Sequence, residues 1–184
     1  AQTGNMLLFG VNLSEGNFSV AMRYFLPVLA FALGIALAEI VHKKDLNLLH
    51  WRQAAVLVEA LILLGVAFFP QNMNLLANSL TSFACGIQVE SFRKIRGNGI
   101  ATTMCIGNMR SGTQNLCNYL QDRDIENLKK ALLYYGIIIC FICGAIIGNS
   151  FIKIFAEKAI LCCSALLFFA FILMFIDYER EKEQ

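Results

Sequence analysis

Apolar residues run along this chain in blocks too long for a water-facing fold. Five stand out, at residues 24–41, 54–69, 75–92, 131–152 and 159–176. A bilayer's hydrocarbon core accommodates a helix of about 20 apolar residues, or fewer where flanking side chains reach the interface. The pattern therefore predicts five membrane-spanning helices. The last two blocks carry no charge, the first is uncharged up to Glu39, and the second holds only Glu59. Block 75–92 differs, with Asn78, Ser79, Thr81, Ser82, Gln88 and Glu90 along it, so its neighbours must be protein or water rather than lipid.

Composition agrees with the pattern. Hydrophobic residues make up 58% of the 184, charged ones 15%, and the mean hydropathy is +0.61. A surface of that kind suits lipid as solvent. A net charge of +2 is too small to imply nucleic acid as a partner. The basic residues lie in short runs between the blocks and report topology. Lys43, Lys44 and Arg52 follow the first block, whereas the turn at 70–74 has no Lys or Arg. Cytoplasmic loops carry the excess of Lys and Arg. Alternation then places Arg93, Lys94, Arg96, Arg110, Arg123, Lys129, Lys130, Arg180 and Lys182 inside, and leaves only Arg23, Lys153 and Lys158 outside. The expectation is a multi-pass protein of the cell's inner (plasma) membrane, with Ala1 outside and the C-terminus cytoplasmic.

The segment 96–124 is too polar for an ordinary span and too rich in Gly, Thr and Asn for an ordinary loop. If 109–120 is helical, Asn108, Ser111, Asn115 and Asn118 fall three and four apart and form one polar stripe. Such a stripe of amides and hydroxyls suits a helix lining a polar cavity or one lying on the cytoplasmic surface.

The chain also repeats itself. Gly4-Asn5-Met6 aligns with Gly107-Asn108-Met109, and in the same register Asn12-Leu13 aligns with Asn115-Leu116. Further along, Phe31, Gly34 and Ala38 align with Phe141, Gly144 and Gly148, and Glu59-Ala60-Leu61 with Ser164-Ala165-Leu166. Each copy is a Gly-Asn element followed by two spans. Only the second copy, 75–184, has a span in front; the first, 1–74, lacks it, and a leading helix is expected upstream of Ala1. Three spans per copy, an odd number, make the copies antiparallel. The expected fold is thus an all-α polytopic bundle of two inverted three-helix repeats forming one integrated membrane domain. Helices starting after each Gly-Asn would aim their N-terminal N–H groups at a break.

Three stretches carry a resemblance to a known family: Gln2-Thr3-Gly4-Asn5, then Gly86-x-Gln88-x-x-x-x-Arg93, then Ala101-Thr102-Thr103-Met104-Cys105-x-Gly107-Asn108. Together they resemble the YoaK-like family of six-span bacterial membrane proteins, a domain of unknown function, over nearly the whole chain. The resemblance implies a helix ahead of the Thr-Gly-Asn motif. Ile106 stands where the family tends to have Thr, so a Thr hydroxyl at that place is available only from Thr3.

Inverted repeats broken at matching places point to transport. The expected function is a transporter or facilitator of a small polar or anionic solute, bound at the repeat interface by Thr3, Gly4, Asn5, Gln88, Thr102, Thr103, Gly107 and Asn108. Asn5 and Asn108 are expected to face a shared polar cavity. Glu59 and Glu90 are the candidates for coupling to protons or cations. A channel on the same repeat is an alternative. A membrane scaffold or sensor, packing through Gly34/Ala38 and Gly144/Gly148, is another. A homodimer is a further expectation, tied to the channel alternative. Catalysis is not expected, since His42 and His50 lie in a basic loop without a nucleophile. The seven cysteines read as small buried hydrophobes, without ligand spacing for a metal. No cofactor is implied; the partners are lipid and a small-molecule solute.

Overall fold

The computed structural model describes residues 2–43, 50–95 and 97–182. Of the charges used for topology, Lys44 and Arg96 lie outside the described residues, as does Ala1, and the side chains of Arg180 and Lys182 are likewise not described. Among the described residues the fold is all-α with one small hairpin: α1 (Gln2–Ser14), α2 (Phe18–His42), α3 (Trp51–Val66), α4 (Asn74–Ser91), β1 (Lys94–Ile95), β2 (Asn98–Gly99), α5 (Cys105–Asp122), α6 (Ile125–Phe155) and α7 (Ile160–Lys182). Every apolar block is helical over most of its length, with α3 ending at Val66 and α4 at Ser91. By length and apolarity α2 and α6 are long enough to cross a membrane, and Ile160–Met174 is a shorter apolar stretch.

The helices gather into two compact units, Ala1–Ser91 with Glu157–Gln184, and Phe92–Ala156. In the first, α2 packs closely on α4. A Cβ added at Gly34 would lie 2.2 Å from the Phe83 carbonyl oxygen, and one added at Gly86 would lie 2.2 Å from the Phe31 carbonyl oxygen. Only glycine at both places lets the backbones approach this far. Leu26 and Leu29 share a groove with Met73 and Leu76, while Ala38 and Val41 share one with Ile87 and Ser91, so α2 and α4 run parallel. The second of these grooves also takes in Trp51 and Ala55, which sets the start of α3 beside the end of α4. Those two helices are antiparallel.

α3 buries Gln53, Val56, Ala60 and Leu63, a stripe at spacings of three and four, together with Glu59 and Val66. It is tied to α7 by two side-chain bonds. Gln53 Nε2 donates to the Met174 carbonyl at 2.9 Å, and the buried Ser164 hydroxyl donates to the Ala60 carbonyl at 2.8 Å. Early residues of one helix meet late residues of the other, so α3 and α7 are antiparallel. The α3 start is capped by His50, whose ring nitrogen accepts from the Arg52 N–H while Gln53 Oε1 accepts from the His50 N–H. α1 turns back through Gly16, at φ +73°, and meets α2 through Phe9 and Phe25, ring centroids 5.0 Å apart.

In the second unit α5 lies along α6, and Gly112 fits against Tyr134 and Tyr135. The repeat boundary at 74/75 concerns internal symmetry. By packing, α4 and α7 of the second copy sit in the first unit with α2 and α3.

None of the seven cysteines is buried: Cys117, Cys140, Cys143 and Cys163 are exposed and the other three half-buried. This corrects their reading as buried hydrophobes. A helix face directed at hydrocarbon tolerates a thiol as readily as a protein core does, so an apolar run does not say which of the two surrounds it.

Candidate functional site

The second unit holds the broken segment. β1 and β2 pair antiparallel through Lys94 opposite Gly99 and Ile95 opposite Asn98, with Gly97 at φ +79° in the turn. The Ile100 N–H closes on the Arg93 carbonyl at 2.9 Å. The chain then stays out of helical geometry until Met104, whose φ of −131° and ψ of 126° are extended, and α5 begins at Cys105. The break therefore precedes Gly107-Asn108, which lies in the first turns of α5 and not ahead of the helix. That corrects the expected start after the pair.

Asn108 explains how the break is held. Its amide oxygen accepts from the Ala101 N–H at 3.1 Å, and its amide nitrogen donates to the carbonyls of Ala101 at 2.7 Å and Met104 at 3.1 Å. The side chain is 3% exposed. It clamps the loop, because unpaired backbone groups in such a segment claim the nearest amide. Tyr134 adds a second tie, its hydroxyl donating to the Gly99 carbonyl at 3.0 Å.

Held this way, the loop leaves one polar atom over. Thr102 Oγ1 is out of solvent contact and has no hydrogen-bond partner. Thr102 lines a groove of about 610 Å³ with Ile95, Ile100, Leu133, Gly136 and Ile137. Thr103 is half-buried beside it, and Gly107 is exposed with open space around its Cα.

The remaining predicted residues lie in the first unit. Asn5 is half-buried, and its amide nitrogen donates to Gln2 Oε1 at 3.2 Å; Gln2 Nε2 in turn donates to the Ser82 hydroxyl at 3.0 Å. This short relay joins α1 to the polar face of α4. Thr3 and Gly4 are exposed on α1, and Gln88 is half-buried on α4. Glu90 is half-buried and engaged with a partner. Glu59 is 4% exposed, with Oε2 out of solvent contact and unpartnered, and Cys85 of α4 lies within electrostatic reach of it.

The family described as protein of unknown function (DUF1275) matches residues 1–173. The chain belongs to this family. No curated protein and no solved structure matches it. In this DUF1275 chain the YoaK-like motifs divide by role: Ala101, Met104 and Asn108 build the clamped loop, Thr102 is left with a free hydroxyl, and Gln2 and Asn5 build the α1–α4 relay.

Sequence reasoning missed Ser82 as the relay's end, and Gln53 and Ser164 as interhelical donors. A signal existed for the last two, since each is a polar residue on the apolar stripe of its helix. Ser91, fully buried with its hydroxyl unpartnered, had no such signal. Among the described residues no group of three or more His, Cys, Asp and Glu is placed to hold a metal.

Proposed function

We propose that this protein is a multi-pass plasma-membrane carrier or facilitator of a small polar or anionic solute. The observation that carries the reading is the clamped break ahead of α5, where Thr102 lines a groove and keeps a buried hydroxyl without a partner. Irregular backbone at membrane depth persists where it is buried in protein or lines a cavity. A buried hydroxyl without a partner is unfavourable by about 1–3 kcal/mol, a penalty that a bound solute with a donor or acceptor removes. The Asn5–Gln2–Ser82 relay supplies further amides and hydroxyls on the α1–α4 face.

Inversion of the two halves is part of the proposal. α3 and α7 occupy corresponding places in the two copies and run antiparallel. At their crossing Ser164, which aligns with Glu59, donates to the carbonyl of Ala60, the next residue along α3. A Cβ added at Gly144 or Gly148 of α6 would meet nothing within 4 Å beyond its own helix, so a homodimer has a small-residue face to use. His42 packs tilted against Trp51, ring centroids 4.2 Å apart, and lies beside Glu39, an arrangement that suits a helix-end contact.

The test is uptake by proteoliposomes of the full chain, with radiolabelled urea, glycerol, acetate and phosphate as probes. Saturable uptake of one of them, lowered about tenfold by Thr102→Val, supports the carrier; that factor corresponds to roughly 1.4 kcal/mol. Threonine to valine keeps the shape and removes the hydroxyl. Unitary currents in a planar bilayer would make the protein a channel instead. Uptake equal to empty liposomes for every probe, with helix content intact, overturns the carrier reading.

A further inference from the structure

We propose that Glu59 is a proton site at the middle of α3, so that the coupling ion of the carrier proposed above is a proton and not a metal cation. The inference rests on that carrier reading and on the surroundings of one side chain. Glu59 stands eight residues into α3, roughly 12 Å along a helix rising 1.5 Å per residue, which is about half-way along it. It is 4% exposed, and Oε2 meets neither solvent nor a hydrogen-bond donor. A carboxyl so placed is either an anion neutralised by a bound cation or an acid carrying its own proton.

Donor chemistry decides between the two. Hard metal cations such as calcium take about six or more oxygen ligands, drawn from several carboxylates, carbonyls and waters. Here Glu59 is one carboxyl in an apolar stripe with Val56, Ala60, Leu63 and Val66. On α4 the thiol of Cys85 lies within electrostatic reach of it. From α7, Ser164 has its hydroxyl committed to the Ala60 carbonyl, and the titratable neighbours of Ser164 in sequence are Cys162 and Cys163. α2 carries no charged residue between Arg23 and Glu39. Among the described residues no Lys, Arg or His is paired with Glu59, and no acidic group joins it in a metal-holding set. A single carboxyl that no second acidic group joins is a poor site for a hard metal cation and a sufficient proton site. The step is the ionisation of the carboxylic acid: the O–H bond breaks, the electron pair stays on Oε2, and the proton passes to water on one side of the membrane.

The test uses the full chain in lipid nanodiscs and reads infrared difference spectra across a pH titration, without any solute. The expected result is a carboxylic-acid C=O band that disappears reversibly as pH rises, is lost in Glu59→Gln, persists in Glu90→Gln, and is unchanged by added sodium at constant pH. Glu59→Asp keeps an acid and should move the band, which identifies it even where Glu59→Gln fails to fold. Absence of an acid band at every pH, or a sodium-dependent change in the carboxylate bands, assigns the site to a metal cation and overturns the proposal. An acid band that persists at every pH at which the protein stays folded marks a locked structural carboxyl and overturns it equally. Because no solute enters these measurements, failure of the uptake assay and failure of the proton site are separate results.

Discussion

At the scale of single residues, Asn108 and Asn5 show how far a shared motif can diverge in role. Each is the Asn of a Gly-Asn pair, yet Asn108 makes three hydrogen bonds to loop backbone in a buried place, while Asn5 makes one to Gln2 at a half-buried one. Asn108→Leu would leave an N–H and two carbonyls without their partner, at about 1–3 kcal/mol for a buried polar group so orphaned, and the loss should total about 3 kcal/mol or more. Asn5→Leu should lower stability by only about 0.5–1.5 kcal/mol, the net worth of one ordinary hydrogen bond. Thermal unfolding of both variants in nanodiscs measures the contrast, and equal losses would contradict it. The repeat made both residues legible as special. It did not reveal the clamp, since the groups Asn108 engages at Ala101 and Met104 are peptide N–H and C=O, which every residue type carries.

At the scale of elements, runs of apolar residues located α2, α3, α4, α6 and α7 but not α1 or α5, because a backbone in hydrocarbon has helix as the economical way to satisfy its polar groups while α1 and α5 carry no such run. The blocks at 24–41 and 75–92 appear as Phe18–His42 and Asn74–Ser91, and the stripe through Asn108, Ser111, Asn115 and Asn118 lies on a helix, Cys105–Asp122. Pairing between helices was less legible. Gly34 and Gly144 align in the repeat, but Gly34 abuts the Phe83 carbonyl whereas Gly144 has open space around it. A sequence clue to the first contact did exist: Phe31-Ala32-Leu33-Gly34-Ile35 recurs as Phe83-Ala84-Cys85-Gly86-Ile87, and it is these two stretches that touch reciprocally. Gly34→Ala and Gly86→Ala should each cost about 1–3 kcal/mol, as the added methyl group forces two backbones apart. Gly144→Ala should stay within about 0.5 kcal/mol, as for a substitution that meets no neighbour. Unfolding in detergent compares the three directly, and a neutral Gly34→Ala would mean that the α2–α4 crossing is looser than described.

At the scale of the whole molecule, the directions of the helices in the first unit and the distribution of charge answer the same question independently. α2 and α4 run one way and α3 the other, while α7 opposes α3. The end of α2 and the start of α3 therefore share a side, and the basic residues there, Lys43 and Arg52, join Arg93 and Lys94 just beyond the end of α4. The opposite side has the turn at Gln71–Met73, which carries no charge. Lys and Arg are retained on the cytoplasmic side during insertion. The proposed topology accordingly has the end of α2, the start of α3 and the end of α7 on the cytoplasmic side and the turn between α3 and α4 outside. The expected outcome is that alkaline phosphatase inserted at Gln71–Met73 is active in cells, that the same enzyme fused after Gln184 is inactive, and that a fluorescent protein fused there is bright. Exchanging Lys43, Arg52, Arg93 and Lys94 together for glutamine should weaken the asymmetry and yield a mixed population. An active phosphatase after Gln184 with an inactive one at Gln71–Met73 would invert the assignment; activity at both would mean that α7 does not return across the membrane.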